Sequence, residues 1–142
     1  MTPTLVTDAP LAYQHWGSIE DNERLVVLLH GVGGSRDSWS DALSGTGSAL
    51  AEAGFCAIAI DLPGYGHSPL PEYLDMQRIS TLVLETLWSL RRHCAARLAL
   101  VGHSMGGMVA LDLIAGAPQE VDALVLLATS PAFGRPDGAW QQ

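Results

Sequence analysis

Lysine is absent from this 142-residue chain. Its seven basic residues are all arginine, set against fifteen acidic ones, and the formal net charge is −8. A balance this acidic leaves no basic patch for nucleic acid and no grip on an anionic lipid surface. The missing lysine also excludes a nucleotide P-loop, whose G-x-x-x-x-G-K-[ST] pattern depends on it. Charged residues are scarce, at 15%, while apolar residues make up 48%. That composition supplies a core and does not suit a disordered chain. No apolar run reaches the ~18 residues that a membrane-spanning helix needs. The opening MTPTLVTDAP lacks the basic and apolar regions of a secretory signal. There are only two cysteines, Cys56 inside FCAIAI and Cys94 near the end of a helical stretch. Both read as reduced thiols rather than a disulfide framework. These absences describe one cytoplasmic domain of ordinary size.

Four short apolar runs are present: Leu25–Leu29, Phe55–Ile60, Leu98–Val101 and Ala123–Leu127. None alternates with polar residues, so each reads as a strand covered on both faces, the mark of a parallel sheet between helix layers. Helical patterns separate them, at Trp39–Ala53 (closed by Gly54), Met76–Cys94 and Met105–Ala115 (closed by Gly116 and Pro118). In the second, Ile79, Leu82, Val83, Leu87 and Leu90 form one stripe at helical spacing. Leu5–Thr7 and Leu11–Trp16 read as a short antiparallel pair ahead of the sheet. No internal repeat or low-complexity segment interrupts this order.

Three glycine motifs sit at strand ends. Gly102-His103-Ser104-Met105-Gly106 is G-x-S-x-G, with an apolar strand directly before it and a helix directly after. A strand that turns abruptly into a helix strains the residue at its apex and projects that side chain outward. Glycines two residues to either side avoid clashes. The serine oxygen then stands at a helix N-terminus, where N–H groups and the helix dipole favour negative charge. A serine that merely caps the helix is the plain alternative. His30-Gly31-Val32-Gly33-Gly34-Ser35 follows the first parallel strand. It is not a dinucleotide fingerprint, because Arg36 stands where the third glycine would be. It reads as a turn that aims a backbone N–H into a site. In Asp61-Leu62-Pro63-Gly64-Tyr65-Gly66-His67-Ser68, the Asp61 carboxylate reads as an acceptor for N–H groups of its own tight turn rather than as a catalytic acid.

Taken together, HGVGGS, DLPGYGHS and GHSMGG resemble the α/β-hydrolase family, in its order and on its strand ends, from about Tyr13 to Ser130. The stretch Leu124–Gly138, with Ser130-Pro131-Ala132-Phe133, is similar to the pimeloyl-acyl-carrier-protein methyl ester esterases of biotin synthesis. The resemblance implies an α/β fold, a mostly parallel sheet with helices on both faces. It implies a serine esterase without metal or organic cofactor, acting on a small or acyl-carrier-borne ester. Ser104 would be the nucleophile, and the N–H groups of Val32 and Met105 would form the oxyanion hole. His30, Gly31, Gly102 and Gly106 would support them.

The chain also departs from that pattern. The family's triad runs Ser, then Asp or Glu, then His along the sequence, yet His15, His30, His67, His93 and His103 all precede Ser104. Among them His67 is the least implausible stand-in for the base. Asp112 is expected to face away from the serine. Asp122 and Asp137 lie near the last strand, and Asp137 could at best fill a variant acid position. The reading that follows is a single domain, 1–142, that forms the N-terminal portion of a longer hydrolase. It stops after the sixth strand, with the lid, the last strands, the acid and the base beyond Gln142. Its sixth strand would be an open apolar edge prone to association. A non-catalytic fragment or docking subunit is the alternative, as is lactone, amide or C–C bond cleavage on the same frame.

Overall fold

The computed structural model describes residues 2–91 and 97–131. Among these residues six strands form one mixed sheet: β1 (Thr4–Val6), β2 (Tyr13–Trp16), β3 (Arg24–Leu29), β4 (Cys56–Ile60), β5 (Arg97–His103) and β6 (Ala123–Leu127). Their spatial order is β1-β2-β4-β3-β5-β6. β1 pairs antiparallel with β2, and β2 antiparallel with β4. β3, β4, β5 and β6 are parallel. The chain therefore leaves every parallel strand at the same end of the sheet, and all three glycine motifs are delivered there. In open α/β sheets this carboxyl end is where ligands bind.

Side-chain alternation divides the core in two. Leu25, Val27 and Leu29 of β3, with Ile58 and Ile60 of β4 and Leu98 and Leu100 of β5, face α2 (Met76–Arg91) and α3 (Met105–Gly116). Those helices answer with Leu82, Val83, Leu87 and Leu90, and with Val109, Ala110 and Leu113. Val26, Leu28, Ala57 and Ala59 face the other way, onto Trp16 and Trp39, with Leu50 and Ala51 of α1 (Thr46–Glu52) against them. Leu25–Leu29 of β3 and all of β4 are buried because both faces are covered, as their unbroken apolar runs predict; on β5 Ala99 and Val101 are half-buried.

Two expectations need correction. The helix read from Trp39 to Ala53 is a 3₁₀ turn at Arg36–Trp39, an irregular link, and only then α1. The cause is local: Ser35 caps the turn by accepting the Asp37 N–H, and Gly45, at φ 69°, redirects the chain before α1 starts. The Trp39 and Ala51 packing that produced the helical pattern is real, but two elements supply it. β6 is not covered on both faces either. Val125, Leu126 and Leu127 are 45%, 40% and 42% exposed, and β6 ends the sheet order. Cys56 is buried in β4. Cys94, His93 and Asp137 lie outside the described residues.

Candidate active site

β5 ends at His103 and α3 begins at Met105, so Ser104 alone turns strand into helix. Its backbone sits at φ 53°, ψ −116°, a region that costs a residue with a β-carbon on the order of 1–3 kcal/mol. The flanking glycines make the turn sterically feasible. A Cβ on Gly102 would lie 2.5 Å from the Gly106 oxygen, and one on Gly106 would press into the Leu29 carbonyl oxygen. An ordinary N-cap serine is extended and accepts an N–H from the first helical turn. Ser104 is not extended and makes no such bond. Ser104 is half-buried at the N-terminus of α3, and its hydroxyl has no hydrogen-bond partner among the described residues.

The His30–Ser35 loop closes against this turn. A Cβ on Gly31 would stand 3.2 Å from both the Ser104 Cβ and the His103 Nδ1, so glycine lets the loop backbone approach the serine closely. Among the described residues, neither the Val32 N–H nor the Met105 N–H has a hydrogen-bond partner. The loop is braced from beneath by His30, which is fully buried. Its Nε2 accepts the Leu62 N–H at 3.0 Å, so the ring proton is on Nδ1, which donates to the Gly31 carbonyl at 2.8 Å. The ring meets Tyr65 edge-on at 4.9 Å. Burial, more than any other cause, lowers the His30 pKa below the ordinary 6.5; the Gly31 bond and the Asp61 charge oppose that shift. An unfolded chain takes up this proton near pH 6.5 and the folded one resists it. Stability is therefore fully present above that pH and is lost as pH falls towards the folded value. Urea midpoints should drop between about pH 7 and about pH 5, and His30→Gln should flatten that drop.

Asp61, also fully buried, is the hub of the second loop. Its carboxylate accepts the Arg36 backbone N–H at 2.7 Å, the Arg36 guanidinium at 2.5 Å and the His67 N–H at 3.0 Å. Its carbonyl accepts the Ser68 hydroxyl at 2.6 Å, and that hydroxyl in turn accepts the Ala12 N–H at 2.9 Å. Asp61 thus binds its own turn, as its sequence context suggests, and also ties in the glycine loop through Arg36. No sequence motif announces Arg36. Asp61→Asn strands a guanidinium that is only 12% exposed; a loss of about 3 kcal/mol in urea unfolding is the expected outcome.

Among the described residues, none of the remaining candidates is hydrogen-bonded to the Ser104 hydroxyl. His67 is exposed and engages Asp61 through its backbone only. His15 Nδ1 is 2.6 Å from the Gly17 carbonyl, on β2. His103 is exposed beside Gly31. Asp112 accepts the Ser80 hydroxyl at 2.5 Å, in the α2–α3 groove. Asp122 accepts the Leu98 N–H at 2.8 Å, at the far end of the sheet from Ser104. Among the described residues, no three His, Cys, Asp or Glu side chains gather as metal ligands would. Sequence reasoning also passed over Thr129, whose hydroxyl donates to the Ser104 carbonyl at 2.6 Å. Gly107 was the available signal: a Cβ there would collide with the Thr129 side chain.

Comparison with known proteins agrees with this fold. The family model described as alpha/beta hydrolase fold matches residues 24–141. A pimeloyl-[acyl-carrier protein] methyl ester esterase of Vibrio parahaemolyticus is 34% identical over 119 residues, which are 84% of this chain and 42% of that protein. An esterase of Mycobacterium tuberculosis is 37% identical over 108 residues, 75% of this chain and 33% of that protein. Among solved structures, epoxide hydrolase A of Mycobacterium thermoresistibile superposes with a TM-score of 0.78 at 26% identity, covering 99% of this chain and 44% of that one. The chain spans less than half the length of the curated relatives it matches. With this match, this strand order and the turn at Ser104, the chain belongs to the α/β-hydrolase fold family.

Proposed function

We propose that this chain carries the nucleophile and oxyanion hole of a serine hydrolase acting on carboxylic esters. The backbone of Ser104 carries the reading: it is strained, and the side chain forms no cap and has no hydrogen-bond partner among the described residues at this helix N-terminus. In the reaction the Ser104 oxygen attacks the ester carbonyl carbon and its proton passes to a general base. The N–H groups of Val32 and Met105 hold the negative oxygen of the tetrahedral intermediate. Collapse expels the alcohol, which takes that proton, and leaves an acyl-serine. Water then releases the acid and restores the hydroxyl.

The base and its acid partner lie, in this proposal, beyond Gln142. His30 has both ring nitrogens engaged, and no described histidine is hydrogen-bonded to Ser104. The relatives, more than twice as long as the matched region, have chain to supply both groups. The names of several relatives point to a methyl ester on a carrier-borne acyl chain as the substrate. An acidic carrier needs a basic surface, and at −8 this chain does not provide one, so that surface would come from the same additional polypeptide. The experiment is acyl-enzyme trapping in the chain joined to the polypeptide that follows the matched region in the Vibrio esterase: an activated ester is added and the peptide bearing residue 104 is weighed. An acyl adduct lost in Ser104→Ala supports the proposal, and an adduct at any other residue overturns it. A docking subunit is the second reading, favoured by the exposed apolar β6.

A further inference from the structure

Ser104 and Ala128 are the only non-glycine residues with positive φ among those described, at 53° and 47°. They lie side by side, at the ends of neighbouring strands, and hydrogen bonds join their segments. The Ser104 N–H donates to the Leu127 carbonyl at 3.0 Å. In return the Thr129 hydroxyl donates to the Ser104 carbonyl at 2.6 Å. That carbonyl also receives the Gly107 and Met108 N–H groups, at 3.0 and 3.3 Å. Those two belong to the first turn of α3; Thr129 is the donor from outside it. The left-handed step at Ala128 brings Thr129 to this position, and the missing Cβ of Gly107 leaves room for its side chain.

A peptide group is planar. The Ser104 carbonyl and the Met105 N–H are two ends of one rigid unit and point in opposite directions. A donor that fixes the carbonyl therefore fixes the N–H. A carbonyl that accepts a hydrogen bond also polarises its own N–H into a stronger donor. We propose that Thr129 is a positioning residue: through the Ser104 carbonyl it aims and strengthens the Met105 N–H at the oxyanion position. This rests on the reading of Ser104 as nucleophile and Met105 as an oxyanion donor. It assigns a part in catalysis to a side chain on the opposite side of the peptide from the reacting atoms.

The test needs an anion at residue 104 without a general base, and a thiolate supplies one. In the Ser104→Cys variant of the 142-residue chain, alkylation by iodoacetamide is followed against pH on the peptide bearing residue 104. A thiol at this helix N-terminus should ionise below the usual value of about 8.5. Adding Thr129→Ala removes the hydroxyl, while Thr129→Ser keeps it and drops only the methyl. The expected result is an alkylation profile moved up by about one pH unit in Thr129→Ala, roughly tenfold less thiolate at fixed pH, and restored by Thr129→Ser. Amide exchange of residues 104–108, measured in the Ser104 background, should rise in Thr129→Ala and recover in Thr129→Ser. An unchanged profile in Thr129→Ala overturns the proposal, and so does an equal change in both variants, which would mark the contact on Gly107 as packing alone. If the parental Ser104→Cys thiol ionises near its ordinary value, the reading of the elbow as an oxyanion site fails. Exchange then decides for Thr129 by itself, and indifference to Thr129→Ala overturns its positioning role.

Discussion

Mixed with a p-nitrophenyl ester, the 142-residue chain should turn over very slowly or not at all. Ser104 has a strained backbone at the start of α3, but a serine hydroxyl without a base is an ordinary alcohol at neutral pH. A positioned general base contributes roughly 10²–10⁴ in rate. A serine protease stripped of triad members keeps roughly 10³–10⁴ over water through its oxyanion hole and substrate binding. Those residues of activity belong to complete enzymes, and here the flank of the elbow formed by β6 is exposed, so the lower end or nothing is expected. Joining the chain to the polypeptide that follows the matched region in the Vibrio esterase should restore turnover by about 10² or more. Ser104→Ala in that assembly should abolish it. Efficient hydrolysis by the 142 residues alone, lost on His67→Ala, would show that the chain holds its own base.

Gly106→Ala should be the most damaging single substitution at the turn, costing at least about 4 kcal/mol in urea unfolding. The new methyl would press into the Leu29 carbonyl oxygen and lie 2.7 Å from that of His30. Both belong to backbone at the end of the central strand, and rotating a side chain cannot relieve the clash. α3 would have to lift off β3 and carry Ser104 with it. Gly116→Ala is the control. It lies in the same helix with nothing within 4 Å of its added Cβ, and should raise stability by roughly 0.5 kcal/mol because alanine loses less backbone freedom on folding. Equal stabilisation by both variants would mean that helix propensity, not the contact with β3, governs the site.

What could be read without coordinates was local. The strands β3 and β4 announce themselves as unbroken apolar runs because both their faces are buried, and β5 does so with one face buried and the other half-buried. The turn at Ser104 is legible because glycines at 102 and 106 have a steric purpose that only a sharp strand-to-helix junction explains. Asp61 could be placed in its turn because Pro63, Gly64 and Gly66 follow it. The misreadings came where one pattern had two sources. Trp39 and Ala51 pack on the same face of the sheet, so a broken segment mimicked one amphipathic helix. β6 has the composition of a covered strand and is exposed. Arg36–Asp61 and Thr129–Ser104 were invisible because each joins residues 25 positions apart, and nothing in either short stretch names its partner.

The strand order has a consequence for synthesis. β3 emerges first of the parallel strands but lies between two that come later, β4 on one edge and β5 on the other. Its second edge stays open until Arg97–His103 has been made, roughly seventy residues after Leu29. At about 5–20 residues per second that is roughly 3–14 s, during which the ribosome displays RLVVLL as a bare apolar template for pairing. The β1–β2 hairpin, although already made, cannot shield it, because its place is on the far side of β4. The interval is long enough for a holding chaperone to bind. Slowing translation between β4 and β5 should therefore lower the yield of folded chain, whereas slowing it after β5 should not.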